Sequence, residues 1–204
     1  EFDGQVWGLP RAFSTKALYW NKKLFADAGL DMPDGPQTFE DVLTAAKAIT
    51  EKTDAAGIGI PAASFDNTMH EFMNWVYSNG GGAIDDAGEV IFDSPQVIET
   101  LQFYKDLVPY MEDGPVAYDR AALEPLFREG RIAMYTNGGW GRGVTGDVDY
   151  GLARIPKGPS GDHSTLLITD SLVVFKGSGV EEKAMDLVKF LTSPDKQAAF
   201  DEAG

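Results

Sequence analysis

Short apolar segments alternate with capped amphipathic segments along the chain, and this alternation restricts the possible folds more than any other feature. The best-marked helix follows Thr38, because Asp41 stands three residues later, as in a capping box. Apolar residues over 39–49 then recur at helical spacing. The repeated change between the two patterns predicts α/β layers rather than a β-sandwich or a helical bundle.

Other predicted helices also carry start markers. Thr68 with Glu71 matches a second capping box. Ser94 offers a hydroxyl cap and is followed by a proline in the first turn, and Asp119 can cap the next helix. Further helices are predicted over residues 23–28, over 180–191 and from 194 onward.

The predicted strands are short, and the first of them is expected to end at Pro10. Their ranges are residues 5–9, 17–20, 58–60, 90–92, 132–135, 150–155 and 171–175.

The charge balance excludes several kinds of partner. Lys and Arg total 17 and Asp and Glu total 32, so the net charge is −15. A surface this acidic repels phosphate backbones and anionic lipid heads, so neither nucleic acid nor a membrane surface is expected as a partner. The chain has no cysteine, which excludes disulfides, thiolate metal sites and cysteine nucleophiles.

Motifs for nucleotide binding and acyl hydrolysis are missing or incomplete. The chain has no Gly-x-Ser-x-Gly nucleophile elbow and no Gly-Lys pair of a P-loop. Segment 141–146 matches Gly-x-Gly-x-x-Gly, yet it lies too close to the strand predicted at 150–155 to leave room for the helix of a dinucleotide site. A flexible loop is therefore predicted there, and no cofactor is expected.

No residues of the sequence are distinguished as a metal site or as a catalytic pair of carboxyl groups either. His70-Glu71 begins a zinc-protease motif, but Asn74 stands where the second histidine must be, and the only other histidine is His163. A glycosidase needs two carboxyl groups across one bond, and nothing among the 32 acidic residues distinguishes such a pair. The sequence predicts no metal site and no catalytic residue.

Trp140 is the aromatic residue with the most unusual surroundings, because it lies in the glycine-rich segment 138–141. A tryptophan in such a turn either fills a core or presents its ring face to a ligand, and sugar rings stack on such faces. Both interpretations stay open from the sequence. Phe65 and Tyr118 also lie in predicted loops and are weaker candidates.

Four stretches of the chain, taken together, resemble the family 1 extracellular solute-binding proteins, the maltose-binding-like receptors of ABC sugar importers. The first two comprise Gly8-Leu9-Pro10, Leu18-Tyr19-Trp20-Asn21-Lys22, Leu24-Phe25, Ala28-Gly29-Leu30, Pro36, Thr38-Phe39-Glu40-Asp41 and Ala45-Ala46-Lys47. The last two comprise Phe127-Arg128-Glu129-Gly130-Arg131-Ile132-Ala133-Met134, Asn137-Gly138, Trp140, Tyr150-Gly151, Pro156-Lys157-Gly158, Ala184 and Lys189-Phe190-Leu191 before Ser193.

The resemblance implies a type II periplasmic-binding-protein-like α/β fold, with two lobes joined by crossing strands and the ligand in the cleft. Residues 1–15 would hold the first crossing strand and 16–147 the C-terminal lobe. Residues 148–156 would hold the second crossing strand, and 157–204 part of the N-terminal lobe. Both ends of the chain are expected to be cuts through a longer receptor, so one lobe would be incomplete.

The resemblance also implies where the ligand binds. Ser14 falls where maltose-binding-like receptors carry a ligand-contacting acid, and Trp140 matches their stacking aromatic. A second contact loop corresponds to residues 65–70, and a third to 118–120. Thr169-Asp170 replaces a turn that is glycine-rich in the family. The predicted ligand-binding residues are Ser14, Phe65, Asp66, His70, Tyr118, Arg120, Trp140, Thr169 and Asp170.

The function implied is that of a substrate-binding component that captures a sugar or oligosaccharide and presents it to the permease subunits of an ABC importer. Such a receptor performs no chemistry, and it is expected to be a monomer. Its location would be periplasmic or extracellular, and its full-length form can carry a lipid anchor. The alternatives are a glycoside hydrolase with a carboxylate pair and a scaffold or adhesion module. The identity of the sugar stays open, and so does a polyol or glycerol-phosphate-like ligand.

Overall fold

A computed structural model describes residues 4–203 and divides them into two compact units. Thr15–Leu166 form the larger unit, and the described residues up to Ser14 and from Leu167 onward form the smaller one. The predicted boundaries after residues 15, 147 and 156 differ from this division. How the units correspond to the lobes of a complete receptor stays a prediction.

The larger unit contains three strands and five α-helices. The strands are β2 (Ala17–Asn21), β3 (Met134–Asn137) and β4 (Tyr150–Ala153), counted after β1 (Leu9–Ser14) of the smaller unit. The helices are α1 (Lys22–Asp27), α2 (Phe39–Lys52), α3 (Asp66–Ser78), α4 (Pro95–Leu107) and α5 (Arg120–Arg128). Short 3-10 turns lie at Val108–Tyr110, Pro115–Ala117 and Gly139–Gly143.

β2 is the central strand of the larger unit's sheet and pairs antiparallel with β3 and β4. Side chains of a strand alternate between its two faces. Leu18 and Trp20 accordingly enter the main apolar cluster, which also includes residues of α1, α2 and α4. Tyr19 enters a second cluster with Phe127 and Tyr135. β2 thus contributes side chains to both apolar clusters.

The helix predicted after Thr38 is confirmed as α2. Thr38 accepts a hydrogen bond from the amide of Asp41, and the Asp41 carboxylate accepts one from the amide of Thr38, which completes the capping box. On the buried face of α2, the ring of Phe39 stacks on that of Phe103 with their centroids 4.1 Å apart. The helix is therefore held by both its cap and its apolar face.

The second predicted capping box is wrong. α3 begins earlier, at Asp66, and the Thr68 hydroxyl donates to the carbonyl of Ala63 rather than capping the helix. Glu71 is buried and accepts a hydrogen bond from the indole N–H of Trp75 over 3.0 Å. Ser94 does precede α4, but its hydroxyl makes no capping hydrogen bond.

Several strand predictions need correction as well. The strand predicted at 5–9 runs instead over Leu9–Ser14 and includes Pro10, with an irregular register between Pro10 and Ala12. A proline without an N–H is tolerated in such a two-stranded edge pairing. The segments predicted at 58–60 and 90–92 form isolated bridges, and the strand predicted at 171–175 is shifted to Ile168–Leu172.

The smaller unit consists of a two-stranded antiparallel sheet and two helices. β1 pairs with β5 (Ile168–Leu172), and α6 (Glu181–Leu191) and α7 (Pro194–Ala203) follow. Among the helices of residues 4–203, none combines the length and apolar character that a membrane crossing requires.

Candidate functional site

The turn that carries Trp140 is shaped by two close approaches to glycine. A side chain on Gly138 would place its Cβ 2.2 Å from the Trp140 ring, and one on Gly141 would lie 2.7 Å from the Tyr19 hydroxyl. Both distances are too short for any side chain, so the indole can lie against the backbone of Gly138 only because that residue is glycine. The Trp140 side chain is 44% exposed and is not part of the packed core.

Buried polar groups hold this turn in place. The Tyr19 hydroxyl donates to the carbonyl of Gly138 over 2.8 Å, and the amide of Gly138 donates to Asn137 Oδ1 over 2.9 Å. Burial, with a smaller effect of the neighbouring Tyr135 and Tyr150, raises the pKa of Tyr19 to about 12. The hydroxyl therefore stays protonated and remains a donor at all physiological pH values.

Arg120 reaches Trp140 from the first turn of α5. Its guanidinium carbon lies 5.1 Å from the centroid of the indole, within the range of a cation–π contact. Arg120 Nη1 forms an ion pair with Glu124 and donates to Asn137 Oδ1 over 3.1 Å. Asn137 Nδ2 in turn donates to Glu124 Oε1 over 3.1 Å. Arg120 is therefore positioned by the same asparagine that anchors the turn.

Lys16 is the nearest cation to Trp140. Its Nζ lies 4.0 Å from the centroid of the indole, although only 9% of the residue is exposed. Its backbone amide donates to Thr165 Oγ1 over 3.0 Å, and that hydroxyl donates to Asn74 Oδ1 over 3.0 Å. These bonds fix the backbone around Lys16, and within residues 4–203 its ammonium group donates no hydrogen bond and forms no ion pair.

Glu71 completes the surroundings of the two cations. Its carboxyl is buried, and burial raises its pKa, while hydrogen bonding with Thr136 and Trp75 and the charges of Lys16 and Arg120 oppose that rise. We refer to Lys16, Glu71, Arg120, Glu124 and Trp140 as the Trp140 cluster.

A cavity of about 410 Å³ opens beside Lys16 in the larger unit. Its wall includes His163, whose Nδ1 lies 2.9 Å from the carbonyl oxygen of Ile155. The lining residues are Thr15, Lys16, Ala17, Leu152, Ala153, Arg154, Ile155, His163, Ser164 and Thr165. Its size suits a small ligand.

The predicted residues of α3 share the start of that helix. Phe65 is the residue before the helix and is exposed, Asp66 is the first helical residue, and His70 lies one turn later. The carbonyl of Tyr118 accepts hydrogen bonds from the amides of Ala62 and Ala63, so it supports the segment that leads into α3. Within residues 4–203, no hydrogen bond, ion pair or ring contact joins Phe65, Asp66 or His70 to the Trp140 cluster.

The predicted residues of the smaller unit lie on its two-stranded sheet. Ser14 is the last residue of β1 and pairs with Ile168. Thr169 and Asp170 lie in β5, where they pair with Phe13 and Ala12, and both are exposed. The structure thus groups Ser14, Thr169 and Asp170 in one unit, and Arg120 with Trp140 in the other.

Lys16 was not among the predicted site residues. Its sequence position, between Ser14 and the apolar run of β2, does not reveal that its side chain is buried against a tryptophan far along the chain. Metal binding has no candidate in the part of the chain that is described, since no three His, Asp or Glu side chains there converge on one point.

Comparison with known proteins gives consistent matches over nearly the whole chain. The sequence profile of the family described as bacterial extracellular solute-binding protein matches residues 1–198. The sn-glycerol-3-phosphate-binding periplasmic protein UgpB of Rhizobium meliloti is 30% identical over 210 aligned positions, which cover 96% of this chain and 47% of UgpB.

Two solved structures are similar in fold and sequence. An ABC transporter solute-binding protein from Thermotoga lettingae, bound with α-D-tagatose, has a TM-score of 0.86 at 27% identity, covering 100% of this chain and 54% of that one. Maltose-bound MalE3 of T. maritima has a TM-score of 0.81 at 26% identity, with coverages of 96% and 52%. The chain spans about half the length of the relatives it matches.

Proposed function

The chain belongs to the family of bacterial extracellular solute-binding proteins, and from this membership we propose that it serves as the substrate-binding component of an ABC importer. The ligand is a sugar or a related polyhydroxylated compound. The relatives are named for sn-glycerol-3-phosphate, or are solved with tagatose or maltose, which supports this ligand class. The protein acts as a monomer and delivers its ligand to the permease subunits.

The observation that carries the proposal is the half-exposed Trp140 ring on a rigid turn with polar groups beside it. A sugar presents a C–H face that stacks on an indole and hydroxyls that need hydrogen-bond partners. Arg120 and Lys16 supply donors next to the ring. A turn held by Tyr19 and Asn137 keeps the ring in position before the ligand arrives, which lowers the entropy cost of binding.

The alternative of a glycoside hydrolase has no support from the carboxyl groups of the cluster. Glu71 accepts a hydrogen bond from Trp75, and Glu124 is paired with Arg120 and bonded to Asn137. Both carboxyls are thus engaged within the protein, and this arrangement does not favour either as the acid or nucleophile of a glycosidase. The proposed role is binding without catalysis.

The proposal places the protein in the periplasm or on the outer side of the cell membrane, where a lipid anchor can hold the full-length form. The test is a thermal-shift screen of the full-length natural protein against monosaccharides, oligosaccharides and polyols. A ligand at 100 times its dissociation constant adds about 2.7 kcal/mol to the free energy of unfolding. A glycoside substrate that is hydrolysed by the purified protein would contradict the assignment.

A further inference from the structure

The ammonium group of Lys16 is buried beside Trp140. Within residues 4–203 it makes no ion pair and donates no hydrogen bond, and its one described contact is with the face of Trp140. The acid in charge interaction with it is Glu71, which accepts a hydrogen bond from Trp75. A buried cation is costly unless it is paired, and within residues 4–203 Lys16 feels the charge of Glu71 without forming an ion pair or hydrogen bond with it.

Arg120 is a second cation in the surroundings of Lys16. It is close enough to Lys16 to disfavour the protonated ammonium, and both cations lie against the same indole. The described hydrogen bonds of Arg120 use only Nη1, which leaves the donors on Nε and Nη2 unused in this part of the chain. Glu124 forms an ion pair with Arg120, whereas within residues 4–203 no carboxylate forms an ion pair with Lys16.

Such an arrangement stands out in a chain whose net charge is −15. Over most of this surface an anionic ligand is repelled, whereas beside the exposed Trp140 ring Lys16 and Arg120 carry N–H donors that have no described hydrogen-bond partner. We propose that the Trp140 cluster binds a polyhydroxylated ligand that carries an oxyanion, either a carboxylate or a phosphate, and that Lys16 is the residue that neutralises it. This inference rests on the proposed function, because it names the substrate class of the same site.

The protonation of Lys16 makes the binding of an anionic ligand depend on pH. Burial, with a smaller effect of Arg120, lowers the pKa of Lys16 to about 8, and Glu71 acts in the opposite direction. Other charged or titratable groups around it are Glu124 of the cluster and Arg154 and His163 of the adjoining cavity. A bound oxyanion raises the pKa of Lys16, so binding is strongest below pH 8, takes up a proton above it, and weakens as the pH rises further.

The experiment is isothermal titration calorimetry on the full-length natural protein with matched neutral and acidic probes. The probes are glucose, glucuronate and glucose 6-phosphate, together with glycerol and glycerol 3-phosphate. We expect at least one acidic probe to bind ten times or more tightly than its neutral counterpart. The carboxylate and the phosphate probes distinguish the two sources of the oxyanion.

Lys16→Met removes the charge and keeps an apolar stem of similar length. The affinity for the acidic probe should fall at least tenfold, while that for the neutral probe should change less than threefold. Lys23→Met is the matched control, because Lys23 lies on the exposed side of α1, and it should change neither affinity. The pH-dependent loss of affinity between pH 7 and pH 9.5 should be present in the wild type and absent from Lys16→Met.

The melting temperature of Lys16→Met distinguishes a ligand-binding role of Lys16 from a structural role. Replacing an unpaired buried charge by an apolar side chain of similar shape is neutral or stabilising, so free Lys16→Met should melt at the wild-type temperature or above it. A much lower melting temperature, or neutral probes that bind as tightly as their acidic forms, would overturn the inference and leave the solute-binding function standing. Failure of every probe, neutral or acidic, to bind would count against the proposed function itself.

Discussion

Trp140 owes its position to residues that are themselves buried. Asn137 and Tyr19 hold the turn through buried hydrogen bonds, and Gly138 provides the flat surface on which the indole lies. Because the ring is held by its support and not enclosed by a core, its removal should affect binding more than folding.

Trp140→Ala should weaken ligand binding by about 1–3 kcal/mol, since it removes a large apolar stacking face. The melting temperature should change little, and Trp140→Phe should keep part of the affinity. Calorimetric titration and a melting curve on the same full-length variants check both statements. A large loss of stability with unchanged affinity would show that Trp140 is a structural residue.

Glu112 provides a test of pH dependence at a site unrelated to the Trp140 cluster. Its side chain is buried, Oε1 has no hydrogen-bond partner, and Oε2 accepts from the amide of Ile60 over 3.3 Å. Burial raises the pKa of Glu112 to about 7. The folded state therefore binds this proton more tightly than the unfolded state does.

Binding of this proton stabilises the folded state. The contribution is fully present below about pH 4.5, the ordinary pKa of a glutamate, and is lost as the pH rises through about 7, the pKa of Glu112 in the folded protein. Glu112→Gln removes the titration, so its melting temperature should exceed that of the wild type by more at pH 8 than at pH 5. Asp113→Asn changes an exposed neighbour and is the control. An equal difference at both pH values would contradict the assignment of the raised pKa.

At the scale of elements, Gly138 and Gly139 can be compared directly, because Gly138 precedes the turn Gly139–Gly143 and Gly139 is its first residue. A Cβ on Gly138 meets the Trp140 ring, whereas one on Gly139 has no heavy atom within 4 Å. Gly138→Ala should displace the indole, lower ligand affinity and cost about 1–3 kcal/mol of stability through overpacking. Gly139→Ala should leave both unchanged. Titration and melting of the two variants side by side give the answer, and equal effects would rule out this account of the turn.

Elements that depend on neighbours in sequence could be predicted, and those that depend on distant contacts could not. The capping box of α2 was predicted correctly because Thr38 and Asp41 interact within one turn. The matching pattern at Thr68 and Glu71 failed because the buried Glu71 bonds Trp75 and faces two cations from other parts of the chain. Lys16 was missed for the same reason, since its burial is decided by Trp140.

At the scale of the whole molecule, the family resemblance and the predicted α/β fold of this receptor class are confirmed. Four short motifs in the right order sufficed for this, because each marks a place where a turn, a cap or a strand end restricts the residue type. The assignment of segments to lobes and the ligand-binding residues stay predictions. Both depend on how separate compact units are arranged, which local patterns do not encode.

The two units differ in how well their apolar residues are covered. The smaller unit exposes more than half of the side chains of Phe13, Phe175 and Phe190. Large apolar side chains left exposed in such number within a small unit favour packing against other protein. We expect the 204-residue chain alone to bind the dye ANS more strongly than the full-length natural protein does.

The double substitution Phe175→Ser with Phe190→Ser should lower the ANS fluorescence of the 204-residue chain. Val116→Ser is the control, because Val116 is an exposed residue of the larger unit. Equal ANS fluorescence from the 204-residue chain and the full-length protein would show that this surface is not covered in the longer form.

The double role of β2 bears on how such a protein can evolve. Leu18 and Trp20 pack into the main core, while Tyr19, between them, holds the backbone of Gly138. Substitutions that change the ligand should therefore be tolerated better at Lys16 and Arg120 than at Tyr19, because the side chains of the two cations reach Trp140 from outside the paired strands. At Tyr19 almost every substitution would disturb the core and the turn together, so lineages with different ligands should diverge at the two cations and keep the tyrosine.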